Sequence, residues 1–191
     1  MDTSVILYNN QTFPYNAYLL FGDGTGHFTS GGALYFGGGF NVYPADLNKD
    51  GKTDFVLYRP SDGTAFIAIS AGTSFTYTYQ LYSPGFTAFK IGDVNGDGFP
   101  DLVLYNNVNA NGYLLLGDGK GSFPNASSLF FGPGFDFVDL HDFNGDGKQD
   151  VIIYRSNDGT SYTGISSYSG TGSGSFGYTY NYFGPGRILA K

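Results

Sequence analysis

The chain has 191 residues, with nine Lys and Arg against 16 acidic residues and a formal net charge of −7. This acidity argues against nucleic acid as a partner, no apolar run is long enough to predict a membrane span, and the absence of cysteine excludes disulfides and thiolate metal sites. The 17 Tyr, 19 Phe and 31 Gly indicate a β protein with an aromatic core and many tight turns.

In chain order, the sequence predicts short strands separated by turns rich in Gly, Asn and Asp, with no helical periodicity of useful length. The predicted strands are residues 4–8, 55–58, 65–69, 75–79, 86–91, 102–105, 112–116, 151–154 and 177–180. Glycine-rich hinges divide them into groups, at residues 37–40, 83–86, 132–135 and 184–187.

One nine-residue pattern, D-x-N-x-D-G-x-x-D, occurs three times, at residues 46–54, 93–101 and 142–150. Its side-chain oxygens fall at positions 1, 3, 5 and 9, position 7 can add its backbone carbonyl, and the glycine at position 6 permits a sharp reversal. Calcium binds about 6–8 such hard oxygen ligands at about 2.3–2.6 Å. The pattern therefore predicts three calcium ions per chain, which would bring the formal charge from −7 to −1. The alternative is a set of Asx-rich turns without metal.

The three loops begin at residues 46, 93 and 142, so the repeat is about 48 residues long. Four short strands in a repeat of this length are typical of a propeller blade. The sequence predicts an all-β fold, a β-propeller of four-stranded antiparallel blades with four blades per chain in a single unit over residues 1–191. The blades are residues 4–39 with 186–191, 40–85, 86–134 and 135–185, and the C-terminal strand completes the first blade.

The loops, together with the Y-R-P-S-D-G-T segment at residues 58–64, resemble the FG-GAP/VCBS repeat family, which includes the β-propeller of integrin α subunits. The resemblance implies a non-catalytic, extracellular or cell-surface propeller with calcium between the first two strands of a blade. The chain itself begins with no predicted signal peptide. Carried onto this chain, the metal ligands are Asp46, Asn48, Asp50, Lys52 and Asp54 in the first loop, Asp93, Asn95, Asp97, Phe99 and Asp101 in the second, and Asp142, Asn144, Asp146, Lys148 and Asp150 in the third.

Propellers of this family usually have seven or eight blades, whereas this chain supplies four. The chain could close alone as a four-bladed ring, with its C-terminal strand completing the first blade in cis. The favoured alternative is a head-to-tail homodimer of eight blades, in which that strand is exchanged in trans.

Catalysis has little support in the sequence, because neither His27 nor His141 has an evident nucleophilic partner. The sequence therefore predicts a non-catalytic scaffold for interaction or adhesion with a protein or glycan partner; an excised or engineered self-assembling fragment would show the same regular repeats. The alternative is a lectin-like propeller that binds carbohydrate through a repeated cluster of an aromatic residue, an arginine and an acid. The residues of that cluster are Tyr58, Arg59, Asp62, Tyr154, Arg155 and Asp158.

Overall fold

A computed structural model describes residues 3–9, 16–170 and 174–187 of the chain. These residues form fifteen strands and no helix. The strands are β1 (Thr3–Tyr8), β2 (Asn16–Gly22), β3 (Phe28–Tyr35), β4 (Asn41–Ala45), β5 (Asp54–Tyr58), β6 (Thr64–Ser70), β7 (Phe75–Leu81), β8 (Ala88–Gly92), β9 (Asp101–Tyr105), β10 (Asn111–Leu116), β11 (Asn125–Phe130), β12 (Phe137–His141), β13 (Asp150–Arg155), β14 (Thr160–Ser166) and β15 (Phe176–Tyr182).

The strands form four antiparallel sheets in chain order, β1-β2-β3, β4-β5-β6-β7, β8-β9-β10-β11 and β12-β13-β14-β15. The all-β class and the predicted strands are confirmed. Within the described residues none of these sheets closes on itself. Their arrangement as blades of a ring stays a prediction, and the completion of the first blade by residues 186–191 falls mostly outside the described part of the chain.

The two inner strands of each four-stranded sheet have a neighbour on each side, and the second strand is the more deeply buried of the two. All five residues of β5 and all five of β9 are buried. Both strands read as an acid followed by an apolar run that ends in tyrosine, which is the continuous apolar pattern expected of a strand covered on both faces. The fourth strand is an edge strand, and most of β7 and β15 is exposed.

The described chain divides into two compact units, each with its own core. The first unit holds strands β1 to β7 and the segment Gly119–Gly121, and its core includes Phe40, Phe55 and Leu57. The second holds strands β8 to β15, and its core includes Val103, Leu114 and others. The prediction of a single propeller unit over residues 1–191 stays a prediction.

A tyrosine at the end of a strand anchors the glycine-rich hinge of each sheet. The hydroxyl of Tyr105 donates to the carbonyl of Gly132 at 2.6 Å and accepts from the N–H of Phe135 at 3.2 Å. Equivalent hydroxyl-to-carbonyl bonds join Tyr8 to Gly37, Tyr58 to Ser83 and Tyr154 to Gly184. These hydrogen bonds hold each hinge against its own sheet.

Candidate functional site: the aspartate loops

Each of the three aspartate loops connects the first two strands of a four-stranded sheet. The first lies between β4 and β5, the second between β8 and β9, and the third between β12 and β13. Each loop ends at position 9, which is the first residue of the second strand. This is the position within a repeat that the family resemblance implied.

A network of hydrogen bonds from the backbone to the acidic side chains shapes the second loop. Asp93 accepts from the N–H groups of Gly96 and Gly98, at 2.7 and 2.8 Å. The Oδ1 of Asn95 accepts from the N–H of Asp97 at 3.0 Å, and the Oδ1 of Asp97 accepts from the N–H of Phe99 at 2.8 Å. The position-1 and position-5 carboxylates and the position-3 amide thus organise the loop backbone.

The first and third loops repeat this network. Position 1 accepts from the N–H of position 6, in the bonds from Gly51 to Asp46 and from Gly147 to Asp142, both at 2.9 Å. Position 3 accepts from position 5 at 3.0 Å in both loops, and position 5 accepts from position 7 at 2.9 Å in both. Three sequences that share only the pattern residues therefore adopt one local conformation.

The reversal at position 6 requires a left-handed backbone, as the sequence predicted. The φ angles of Gly51, Gly98 and Gly147 are 84°, 91° and 86°, a region that favours glycine. Position 4 is also left-handed, and here the loops differ. The second and third loops have glycine at this position, whereas the first has Lys49 with a φ of 60°, a conformation that costs a residue with a side chain about 1–2 kcal/mol.

The aspartate at position 9 is completely buried and joins each loop to the rest of its sheet. In the second loop, Asp101 accepts from the N–H of Val94 at 2.8 Å and from the N–H of Gly117 at 2.9 Å. Asp54 and Asp150 make the same pair of bonds, to Leu47 and Ser70 and to Phe143 and Ser166. One carboxylate therefore fixes the start of the loop and the turn after the third strand.

Burial and neighbouring charge disfavour the ionised form of two of these aspartates. Burial raises the pKa of Asp101 to about 6, and the carboxylates of Asp97 and Asp93 add to this effect. Burial also raises the pKa of Asp54, with Asp50 and Asp46 acting in the same direction. A cation among these oxygens would oppose both effects, because an opposite charge favours the ionised form.

The donor set suits calcium chemically, although the side chains are turned toward their own backbone. Within the described residues, no three Asp or His side chains lie close enough together to form a metal cluster. Each carboxylate has about four lone-pair sites, so two accepted hydrogen bonds leave capacity for a cation. The predicted ligands of each loop are thus brought into one nine-residue turn, and calcium binding by them stays a prediction.

The residue at position 7 makes the three loops unequal. In the first loop, the ammonium of Lys52 lies 2.8 Å from the Oδ2 of Asp50 and lowers the pKa of that carboxyl. In the third, Lys148 donates instead to the carbonyl of Tyr168, at 2.9 Å. The second loop has Phe99 at this position. The first loop alone of the three thus has a lysine ammonium paired with one of its predicted ligands.

The second and third loops are in direct contact within the second unit. The N–H of Gln149 donates to the carbonyl of Asp93 at 2.6 Å. The hydroxyl of Ser166, the last residue of β14, donates to the carbonyl of Val94 at 2.7 Å. The amide of Asn95 reaches the carbonyl of Gly170 at 2.7 Å. The backbone of the second loop is therefore held partly by residues of the next sheet.

The structure places the repeated Tyr-Arg-Asp clusters in turns that support the hinges. Arg59 pairs with Asp62 at 2.7 Å, and its guanidinium carbon lies 4.8 Å from the ring centre of Phe40. Tyr58 is completely buried, and its hydroxyl donates to Ser83, so its ring presents no open face to a ligand. These contacts order the turn that follows the second strand.

The second cluster has the same structure. Arg155 pairs with Asp158 at 2.8 Å, lies 5.1 Å from the ring centre of Phe135, and donates to the carbonyl of Pro133 at 3.3 Å. Tyr154 is 2% exposed. The arginine holds the pKa of Asp158 at about 2, and Arg59 does the same for Asp62. Carbohydrate binding by these clusters stays a prediction.

Each of the two histidines lies near an aspartate. The N–H of His27 donates to Asp23 at 3.3 Å in an exposed turn. His141 lies 3.5 Å from Asp139, which also pairs with Lys90 at 3.1 Å. Each histidine therefore contacts an aspartate of its own turn or strand.

Sequence reasoning missed the anchoring role of the four strand-ending tyrosines. Their repetition at one position of every predicted repeat was the available signal. It also missed an aromatic groove in the second unit, lined by Phe130, Phe131, Ile153, Tyr162 and Tyr178, because the residues that line it come from four separate segments of the chain.

Comparison with known proteins identifies the repeat. The family model described as FG-GAP-like repeat matches residues 46–104 and 93–153, which together make up more than half of the chain. Each match begins at the first residue of an aspartate loop and extends past the next loop. A search of curated proteins gives no significant match. The two overlapping matches and the repeated loop structure show that the chain belongs to the FG-GAP repeat family.

Proposed function

We propose that this FG-GAP repeat protein is a non-catalytic β-propeller scaffold for interaction or adhesion, and that its three aspartate loops bind calcium. One observation carries the calcium proposal. Three loops of different sequence share one hydrogen-bond network and one buried aspartate, and in each loop two further carboxylates lie within eight residues of the buried one. In two of the loops these neighbouring carboxylates add to the raised pKa of the buried acid, and a cation held by the loop would oppose that effect.

Calcium would act by fixing the connection between the first two strands of a sheet. The position-9 carboxylate already links the loop to the turn after the third strand, so an ion held by the same loop would stabilise both connections. Its arrival requires the carboxylates of positions 1 and 5 to draw together around it. The backbone bonds that they accept keep them in one short turn, which limits the entropy lost when the ion binds.

The loops are expected to differ in affinity. The ammonium of Lys52 competes with calcium for Asp50, and Lys49 strains the backbone between two predicted ligands. Both features are confined to the first loop. The second and third loops share backbone contacts, so an ion that orders one favours the bound conformation of the other. We expect the first loop to bind calcium most weakly.

The four sheets are proposed as four blades, and assembly into a closed ring as the form that presents a binding surface. Four blades fit either a ring of one chain or an eight-bladed ring of two chains, and the second is favoured because FG-GAP propellers usually have seven or eight blades. An extracellular location is proposed because FG-GAP repeats are common in extracellular proteins. The described residues include no helix that could cross a membrane.

Thermal unfolding tests the calcium and assembly proposals together. The protein is unfolded in excess calcium, in excess magnesium and in chelator, each at two protein concentrations. A ligand that binds the folded state raises the midpoint, so calcium is expected to raise it well above the chelator value and magnesium to raise it less. A midpoint that also rises with protein concentration supports the dimer. Equal midpoints in all three solutions would contradict calcium binding.

A further inference from the structure

The second unit contains an open groove of about 190 Å³ lined mainly by aromatic side chains. Its lining residues are Phe130 at the end of β11, Phe131 after it, Ile153 of β13, Tyr162 of β14 and Tyr178 of β15. Phe131 and Ile153 are buried and belong to the core of the unit. Phe130 is 80% exposed and Tyr178 is 45% exposed, so the groove has a fixed floor and an accessible rim.

A glycine in the neighbouring strand makes room for the ring of Tyr178. Gly164 of β14 lies opposite Tyr178 of β15, and a Cβ at this glycine would come within 2.6 Å of the tyrosine ring. The ring therefore lies over the glycine and forms a wall of the groove. It is braced by two further rings, with centroids 6.3 Å away at Phe131 and 6.2 Å away at Phe176.

The lining combines apolar ring faces with neutral hydroxyl groups. Among the residues that the structure describes, the lining contains no charged side chain, although the chain as a whole carries a net charge of −7. Burial raises the pKa of Tyr178 above its usual range, so its phenol stays protonated and able to donate a hydrogen bond. The groove thus offers no charged side chain to pair with an ionic ligand, and its ring faces and phenols suit a neutral ligand that has both an apolar face and hydroxyl groups.

Exposed tyrosines continue from the groove along the same strand. Tyr180 and Tyr182 lie on the same face of β15 as Tyr178, because alternate residues of a strand point to one side. They are 58% and 62% exposed. The ring centroid of Tyr180 lies 5.6 Å from that of Tyr162. A ligand longer than one ring could therefore extend from the groove across further aromatic surfaces.

We propose that this groove is a binding site for one pyranose ring of a neutral glycan. A pyranose has an apolar face that can pack on the rings of Phe130 and Tyr178, and equatorial hydroxyls that can bond to the phenols of Tyr162 and Tyr178. The volume is below the about 300–1,000 Å³ of sites for drug-sized ligands, which suits a single sugar ring. The proposal goes beyond the scaffold role and does not rest on it.

The first unit has the corresponding residues but differs at the two positions that shape the groove. Counted from the glycine hinges and strand pairings, Phe66 stands where the groove has Tyr162, and Ala68 stands where it has Gly164. The residue paired with Ala68 is Tyr77. The first unit thus lacks one phenol and the space above the glycine. We expect one sugar site per chain, in the second unit.

The test measures sugar binding to the calcium-saturated, intact chain by saturation-transfer NMR and titration calorimetry. The probes are the methyl pyranosides of glucose, galactose, mannose and xylose, together with a neutral hexasaccharide of β-linked glucose. Sialic acid and glucosamine are the charged controls. At least one neutral probe is expected to bind with a dissociation constant of about 1–10 mM or tighter, which is the range open to a single small ring.

Three variants localise the site. Phe130→Ala removes an exposed ring and is expected to weaken binding about tenfold. Gly164→Ala places a methyl group against the Tyr178 ring and is expected to weaken binding at least as much. The same methyl would lie 2.9 Å from the Cγ1 of the buried Val151, so the unfolding midpoint of this variant is measured first and Phe130→Ala carries the test if the variant does not fold. Val108→Ala is the matched control, because Val108 is an exposed apolar residue of the same unit, 82% exposed, outside the groove. Its affinity should equal that of the parent.

Two results would overturn the proposal. One is no binding of any neutral probe up to about 100 mM, a decade above the weak end of the expected range, by a chain that unfolds normally. The other is binding that survives Phe130→Ala and Gly164→Ala unchanged. Because calcium is saturating throughout, a protein that binds calcium but no sugar contradicts this inference alone. A protein that binds sugar but shows no calcium response contradicts the proposed calcium sites alone.

Discussion

Replacing Asp101 by asparagine separates the structural role of the position-9 acid from its predicted role as a metal ligand. The substitution keeps the size of the side chain and one of its oxygens. It removes the negative charge and replaces one acceptor oxygen by an NH2 group, which cannot accept the hydrogen bond from the backbone N–H that faces it. Asp101 is completely buried and accepts from Val94 and Gly117, so both changes occur away from solvent.

Without calcium, two effects of this change oppose each other at pH 7. Leaving a buried donor without an acceptor costs about 1–3 kcal/mol. The raised pKa, about 6 against an ordinary value of 3.8, means that the folded state disfavours this charge by about 3 kcal/mol, and the amide removes that penalty. We therefore expect the free energy of unfolding in chelator to change by no more than about 2 kcal/mol.

With calcium the same variant should lose much more stability than in chelator. At a free calcium concentration about 100 times the dissociation constant, each occupied loop adds about 2.7 kcal/mol. Removing the second loop as a site should therefore lower the calcium-dependent gain by about a third. Urea unfolding of parent and variant, each in calcium and in chelator, gives this difference directly.

Asp158→Asn provides the matched control. Asp158 belongs to the same unit and is paired with Arg155, but it lies outside the loops. Its replacement should leave the calcium-dependent gain unchanged. If Asp101→Asn has the same calcium-dependent gain as the parent, the reasoning that joins the buried acid to a metal site is wrong.

The remaining predictions concern pH and the first loop. In chelator, the folded state binds the Asp101 proton more tightly than the unfolded state does. The stability gained from this protonation is full below about pH 4 and is lost as the pH rises through about 6. Excess calcium should reverse this trend over the same interval, as urea unfolding at several pH values will show. Lys49→Gly relieves the strain of a left-handed backbone but increases the conformational entropy of the unfolded chain. In chelator we expect the free energy of unfolding to rise by up to about 1 kcal/mol, and a fall would contradict the assigned strain. Lys52→Gln removes the ammonium beside Asp50, so calorimetry should show tighter calcium binding at the weakest site, and weaker binding there would refute the proposed competition.

The strands and loops could be predicted because their signals are local. Apolar runs such as residues 102–105 identify buried strands, and Gly98 identifies the reversal within a loop, because both depend on residues near in sequence. The burial and the hydrogen-bond partners of Asp101 could not be predicted in the same way. Its two hydrogen bonds reach seven residues back and 16 residues forward, and they follow from strand pairing.

The side chains proposed for carbohydrate binding show the same limit. The sequence places Tyr58 beside Arg59 and Asp62, and an aromatic residue next to an arginine and an acid is a combination that can bind a sugar. Strand pairing buries the tyrosine and directs its hydroxyl to a hinge. In contrast, Gly164 and Tyr178 are 14 residues apart, and only the register between β14 and β15 brings the ring over the glycine. Side-chain environments of this kind depend on tertiary packing that repeat patterns do not specify.

The number of calcium ions bound to the purified chain shows whether the three aspartate loops are metal sites. The protein is dialysed against buffered free calcium, and bound metal is measured against protein for the parent and for Asp101→Asn. We predict binding that saturates at three ions per chain, one for each loop in the sequence, and at two in the variant. A parent chain that retains no calcium at millimolar free concentrations would contradict the account and leave the loops as turns held by their backbone alone.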